Sequence, residues 1–478
     1  MERTFTPRIL NIFSDYHYLP TENIAQWVQL FDGSPFAVTT VFLNGDPNER
    51  VESAIGGESV IFFNTGPRIG FFQRRNLMKE LEALHQLTPF DFVLVHGTLP
   101  EKVSYRMGGI DLPKVRVRHE LSDLDTGRWG MGLQSVGWPQ IAASNVIASD
   151  LVKQVPSIDL MNVGTVYPTI DVESFTDGLL DRELARKAID VGSSDFVFAN
   201  VAPLEPASNQ ATLLASFAAI ANNHANVKLV IVGRGSLEVE LKALVASLGI
   251  EKSVLFYSSL PNLNALYRGF DRLVMCGTSD GVPLPVLSAM AAGLPVCVAK
   301  NGGLREAVEG VGMLFNVSET DVLTQRMESM LRLDSSHLAS TRRAMSERLG
   351  ALFSMDAVRR QFWQLDFIKP IWKAMEKATR FDDEMAGAVQ PNPTFGNNEP
   401  NESARDAHDD VNEVAEVVEV SREQQRTNTA ENTAEALPET IAETSLDDSS
   451  NLSTDSSDSA KNLKPNKQAD SSEAVTPS

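Results

Sequence analysis

The sequence predicts an α/β protein: two doubly wound, Rossmann-like parallel-sheet domains in tandem, followed by an acidic segment without a core of its own. Three observations carry this. Short apolar runs with strand character recur along the chain, and most are separated by stretches of helical pattern, which is the order that builds parallel sheets. The stretch Leu273–Phe315 compresses that order into strand LVMC, loop GTSDGVP, apolar helix PVLSAMAA, a Gly-Leu-Pro turn, strand VCVA and loop NGGLREAV. Charge is also segregated. From Phe381 onward 22 Asp and Glu stand against 6 Lys and Arg, which carries −16 of the net −21. That segment has two Phe and no Trp or Tyr, so it cannot bury enough apolar surface to offset chain entropy and is expected to be disordered.

Taken in order, RILNIFS (8–14) is the first strand, followed by the loop DYHYLPTEN and a helix IAQWVQLF. FAVTTVFLN, VIFFN, FDFVLVHG and KVRVRH continue as strands. His17, His96 and His119 fall near strand ends, where a structural role competes with a catalytic one. The segment 66–81 places Arg68, Arg74, Arg75 and Lys79 beside Phe71 and Phe72. It reads either as a basic aromatic helix that docks on an anionic membrane or as a helix with its Phe in the core and its Arg solvated. SDFVFANV opens the second sheet, then VKLVIV and VLFY follow. Gly233 and Gly235 bracket Arg234 at the end of VKLVIV, a weak motif by itself. From Thr320 to Lys377 the pattern is helical, with Ser354 as an N-cap and Pro370 expected to kink or break the last helix.

Ligands of parallel sheets sit beyond the carboxyl ends of the strands, so the two loops within 273–315 are the first place to look for chemistry. There the residues Gly281, Pro283, Ala289, Met290, Ala291, Gly293, Pro295, Val296, Gly302, Gly303 and Glu306 resemble the nucleotide-sugar site of retaining glycosyltransferases of family 4, which have the GT-B fold. The resemblance covers about residues 6–378 and is most specific over 195–310. It implies an acceptor-side domain over 1–178, a donor-side domain over 179–353 and a helix over 354–380 that returns to the first domain. Trp363 and Trp372 would anchor that helix, and 381–478 would be the tail. It also implies a nucleotide-diphosphate sugar as donor substrate with no cofactor and no metal, and a glycan or lipid-linked acceptor. Glycoconjugate or polysaccharide synthesis would be the setting.

Carried over position by position, Asp280 stands where the family has the Glu that approaches the donor sugar, and His96 stands at a position similar to a histidine facing the cleft. Gly233 and Arg234 would line the nucleotide side, with Arg234 the nearest candidate cation. Gly302 and Gly303 would seat phosphate through backbone amides, and Glu306 would bond ribose or simply belong to its helix.

Several ligand-facing positions depart from the family. Ser288 replaces the Glu that grips the ribose diol. Pro203 and Ser208 stand where an Arg and a Lys hold the diphosphate, and Glu22 and Asn23 stand where glycines would let backbone approach. Fixed cations aimed at a departing diphosphate are typically the largest catalytic contribution. Two readings follow: an active retaining transferase, or a relative that binds a glycan, a nucleotide or a partner glycosyltransferase without turnover. A third makes the acidic tail a tether for assembly.

Composition excludes other classes. Strong acidity argues against nucleic acid as a partner. Cys276 and Cys297 read as small core residues, with no Cys/His spacing for metal. The N-terminus lacks the apolar run of a signal peptide and no stretch is long enough to span a bilayer, so the expected location is the cytoplasm, with contact at the inner membrane face through 66–81.

Overall fold

The computed structural model describes residues 6–373 apart from 18, 66–68, 110–111, 125–136 and 156. Residues 374–478, including the acidic segment, lie outside the described residues, as does Arg68.

The first sheet has seven strands: β1 (Arg8–Phe13), β2 (Ala37–Phe42), β3 (Ser59–Phe62), β4 (Phe92–His96), β5 (Lys114–Arg118), β6 (Gln140–Ala142) and β7 (Val163–Thr165). Helices α1 (Thr21–Gln29), α2 (Glu49–Ile55), α3 (Phe71–Leu87), α4 (Thr98–Ser104) and α5 (Asn145–Gln154) lie between them. After α6 (Val172–Asp177) and α7 (Arg182–Ala188) comes a six-stranded sheet: β8 (Phe196–Val201), β9 (Val227–Val232), β10 (Val254–Tyr257), β11 (Arg272–Met275), β12 (Val296–Ala299) and β13 (Met313–Phe315). Its helices are α8 (Gln210–Asn223), α9 (Glu238–Leu248), α10 (Leu284–Ala291) and α11 (Gly302–Val308). The chain then runs through α12 (Thr320–Leu331), α13 (Ser335–Arg348) and α14 (Met355–Gln364).

Strand order is β3-β2-β1-β4-β5-β6-β7 in the first sheet and β10-β9-β8-β11-β12-β13 in the second, and the strand pairs are parallel. The order reverses between β1 and β4 and again between β8 and β11. Those reversals are the switch points outside which parallel sheets open a crevice. Near-continuous apolar strands such as LVIV in β9 follow from helices covering both faces.

The first sheet has two apolar layers. Ile9, Phe13, Trp27, Val115 and Val117 pack on one face, and Leu10, Ile12, Leu77, Leu81 and Val93 on the other. Strand β5, KVRVR, therefore turns Arg116 and Arg118 away from its valines, yet both are fully buried. Glu101 of α4 compensates them, accepting from Arg116 Nε at 2.6 Å and from Arg118 Nη2 at 2.8 Å. Arg118 also donates to Gln140 Oε1 at 3.0 Å and to the Asp123 carbonyl at 2.7 Å. A buried guanidinium is tolerated only when paired in this way. The network fixes the loop 119–124 at the carboxyl end of the sheet.

His96 and His119 end β4 and β5 side by side, with Nδ1 of one 3.0 Å from Nε2 of the other. The His96 ring stacks on Phe13 at 3.9 Å and meets the edge of Trp27 at 5.0 Å. Burial, with the neighbouring His119 adding to it, holds His96 well below the ordinary histidine range. Burial also lowers His119 to about 4, against a smaller opposing pull from Asp123. Burial thus favours the neutral form of both rings.

The last helix returns to the first domain. Ser354 Oγ caps it by accepting from Ala357 N at 3.2 Å, and Val358 and Phe362 enter the first core. Trp363 and Trp372 meet at 4.6 Å and pack against Phe31 and Phe36. The break differs from the expectation at Pro370. The helix stops at Leu365, and Pro370 sits in the first turn of the next helical run, where its missing N–H costs no bond.

The histidine pair predicts a pH dependence. A folded-state pKa below 6.5 means the unfolded chain binds more protons, so the stability is present above pH 6.5 and is lost as pH falls toward 4. His119 alone should account for a loss of about 3 kcal/mol across that window. Denaturant unfolding between pH 7 and pH 4 checks this: His119→Gln should flatten the profile relative to the unsubstituted protein, and an unchanged profile would contradict it.

Candidate functional site

The carboxyl ends of the two sheets face each other, and side chains from both meet across the gap. From the second sheet, Asp280 follows β11; its Oδ2 accepts from Leu121 N at 3.1 Å, and its carbonyl accepts from Ser144 Oγ at 2.6 Å. Glu306, on α11, reaches further. Oε2 accepts from Asn145 N at 2.9 Å and from the Tyr167 hydroxyl at 2.9 Å, while Oε1 accepts from Val146 N at 2.7 Å. These amides open helix α5, whose first N–H groups have no partner within the helix and whose dipole favours an anion. Tyr167 is held as a protonated donor, since burial and then the Glu306 carboxylate raise its pKa above the ordinary tyrosine value.

The loops that carry the glycines are set by backbone packing. A Cβ on Gly233 would lie 1.9 Å from the Ala202 carbonyl, and one on Gly303 would lie 2.0 Å from the Gly281 carbonyl. Gly302 adopts φ +44 and faces the Ser279 carbonyl at 2.0 Å in the same sense. The Gly303 amide, expected to seat phosphate, donates to the Ser279 carbonyl at 2.7 Å, and the Gly233 amide donates to the Tyr257 carbonyl at 2.8 Å. Both are engaged in holding neighbouring loops together.

The remaining candidates divide. Arg234 is exposed, with Nη2 3.3 Å from Ser259 Oγ. Beside it, Glu205 accepts from Ser236 N at 2.8 Å and from Ser236 Oγ at 2.6 Å, and these bonds hold its carboxyl below the usual range. Ser208 is half-buried at the end of the β8 loop, close against Gly277. Ser288 is buried inside α10 and hydrogen-bonds Tyr267, whose phenol burial raises above its ordinary pKa. His96 has no exposed surface. Asp280, Glu306, Gly302 and Gly303 are thus brought to one end of the second sheet, where Asp280 and Glu306 meet Leu121 and Ser144 to Val146, whereas His96 and Ser288 lie within the cores.

Sequence reasoning missed Ser144, Asn145 and Tyr167 at this gap, and Glu205 beside the Arg234 loop. ASNVIASD is an N-cap pattern, and that was the available signal for Ser144. A depression of about 480 Å³ lies nearby, lined by Glu22, Gly178 and Asn262 to Ala265. Glu22 and Asn23 occupy the first turn of α1, not a loop, and Glu22 Oε1 accepts from Asn264 Nδ2 at 3.4 Å. Among the described residues no group of three or more His, Cys, Asp or Glu is placed to hold a metal ion. Cys276 and Cys297 are free thiols in the core.

Comparison with known proteins places this geometry. Residues 181–348 match the family model described as Glycosyl transferases group 1. The D-inositol 3-phosphate glycosyltransferase of Mycobacterium sp. (strain KMS) is 28% identical over 296 residues, covering 57% of this chain and 65% of that protein. The protein of the same name from Mycobacterium tuberculosis (strain ATCC 25177 / H37Ra) is 26% identical over 298 residues, covering 58% and 61%. The chain therefore spans less than two thirds of the length of these curated relatives. Among solved structures, a glycosyltransferase from Rickettsia africae ESF-5 superposes with TM-score 0.63 at 13% identity, covering 77% of this chain and 99% of that one. Anabaena HepE in complex with UDP and glucose gives 0.60 at 17%, covering 74% and 97%. At such identities the solved structures speak to the fold, which is GT-B. The family-model match over residues 181–348 falls on the second sheet domain of that fold.

Proposed function

We propose that this protein transfers a sugar from a nucleotide-sugar donor to a glycan or lipid-linked acceptor with retention, using no metal. The observation that carries the reading is the position of Asp280: a carboxylate beyond the carboxyl end of β11, at a switch point, aimed at the opposite sheet. Anabaena HepE in complex with UDP and glucose, and with UDP-glucose, supports a uridine nucleotide as the first donor to try.

In this reading Asp280 meets the donor sugar, and the exposed Arg234 offers positive charge to the departing diphosphate. Breaking the sugar–phosphate bond places extra negative charge on that diphosphate, and each missing fixed donor typically costs about 2.7–4 kcal/mol of barrier. Pro203 and Ser208 supply no cation, and Glu205 sets a negative charge beside Arg234's loop. Slow turnover follows from that electrostatic balance.

The acceptor side carries a second feature. Phe71 is 71% exposed and Phe72 78%, at the start of a helix that also exposes Arg74, Arg75 and Lys79. The Phe residues are out of the core, which favours the docking reading of 66–81 over the alternative with Phe inside. Two aromatic rings beside three cations suit an anionic lipid surface, so a lipid-linked acceptor is the preferred class. Among the described residues no helix is long and apolar enough to cross a membrane.

Two measurements check these statements. In calorimetric titration UDP and at least one UDP-sugar should bind, and Asp280→Asn should lower sugar release on the order of 100-fold while nucleotide binding stays within a few-fold. Absence of binding to every nucleoside diphosphate and nucleotide sugar tried would defeat the transferase reading and leave that of a binding relative. For the surface, cosedimentation with vesicles of phosphatidylglycerol should exceed that with phosphatidylcholine and fall several-fold in a Phe71→Ser, Phe72→Ser variant. Equal sedimentation of the variant would remove the membrane contact.

A further inference from the structure

We propose that Glu306 is a latch: in the nucleotide-free protein it holds the two sheets together across the cleft, and a nucleotide must displace it to enter. The competition with nucleotide rests on the donor-site reading above, whereas the latch itself does not.

The geometry is specific. Both carboxylate oxygens of Glu306 are engaged by groups of the first domain: two consecutive amides at the start of a ten-residue helix and one phenol. The phenol is placed in turn. Asn145 Nδ2 donates to the Tyr167 hydroxyl at 2.6 Å, and Asn145 Oδ1 accepts from Thr165 Oγ1 at 2.9 Å. Tyr167 backbone is held from both sides, its amide by Gln361 Oε1 at 3.0 Å and its carbonyl by Gln26 Nε2 at 3.2 Å. On the donor side Arg348 binds the carbonyls of Glu306 and Ala307, which fixes the end of α11. Asp280 fastens the neighbouring residues, through Leu121 N and Ser144 Oγ, and Ser144 also caps α5 by accepting from Ile147 N at 3.1 Å. Three successive residues, Ser144 to Val146, thus meet the Asp280 carbonyl and the Glu306 carboxylate.

A carboxylate has about four acceptor directions, and three are filled on Glu306. A ribose diol needs two adjacent directions, one on each oxygen, so nucleotide and latch cannot both be satisfied by this side chain. Opening also frees two helix-start amides that have no partner within α5. The cleft therefore favours closure on itself until a ligand replaces those bonds.

The test uses the full-length protein with fluorophores on cysteines introduced at the exposed sites Glu80 and Glu240, since Cys276 and Cys297 are buried. Glu306→Gln and the conservative Tyr167→Phe should each lower energy transfer between the domains. UDP should bind Tyr167→Phe several-fold more tightly than the unsubstituted protein. Unchanged transfer in both variants would overturn the latch. So would a Glu306→Gln that loses UDP affinity while Tyr167→Phe keeps the original value, because Glu306 would then be a nucleotide ligand without a closing role. If no form binds any nucleoside diphosphate, the donor reading fails, and the transfer efficiencies still decide the latch.

Discussion

Backbone amides at the mouth of the cleft are satisfied by the chain's own carboxylates, and the rest of the site depends on this. Asp280 takes the amide of Leu121, and Glu306 those of Asn145 and Val146. An unpaired polar group that loses water on closure costs about 1–3 kcal/mol, so each of these contacts removes a penalty that a closed, empty cleft would otherwise carry. The same contacts set the carboxylates of Asp280 and Glu306 against the first domain.

Packing alone accounts for the glycines at the ends of the second sheet's strands. Gly233, Gly302 and Gly303 are required where loops pack backbone to backbone, with a Cβ at 1.9–2.0 Å from a carbonyl. Their presence follows from the sheet switch points and would persist with or without a phosphate. Ser288 is likewise committed to the core through Tyr267, which leaves it unable to reach a ribose. At these glycines and at Ser288 the residue is set by packing, which testifies to architecture more than to turnover.

The architecture was legible because strand and helix periods are local. FVFANV, VKLVIV and VCVA each read as buried strands, and the GT-B resemblance ordered them. Three-residue strands such as β6 and β13 carry too little pattern to be recognised alone. The site was legible in part. Asp280 and Glu306 were placed at the right end of the second sheet, but their partners Leu121, Asn145, Val146 and Tyr167 are 139 to 161 residues away in sequence, beyond any local signal. His96 shows the reverse error of scale: a strand-end histidine looks open in sequence, while the fold stacks it on Phe13 and pairs it with His119. Glu101 between Arg116 and Arg118 was invisible for the same reason, since a buried ion pair depends on which strand face a helix covers.

The central claim is that the cleft closes on itself through these carboxylates, and the amides of Asn145 and Val146 report on it directly. The first amides of a helix exchange quickly unless something outside the helix caps them. Amide hydrogen exchange over residues 144–147 should therefore show these two positions protected in the nucleotide-free protein and exposed in Glu306→Gln. Rapid exchange at both positions in the unsubstituted protein would contradict the account.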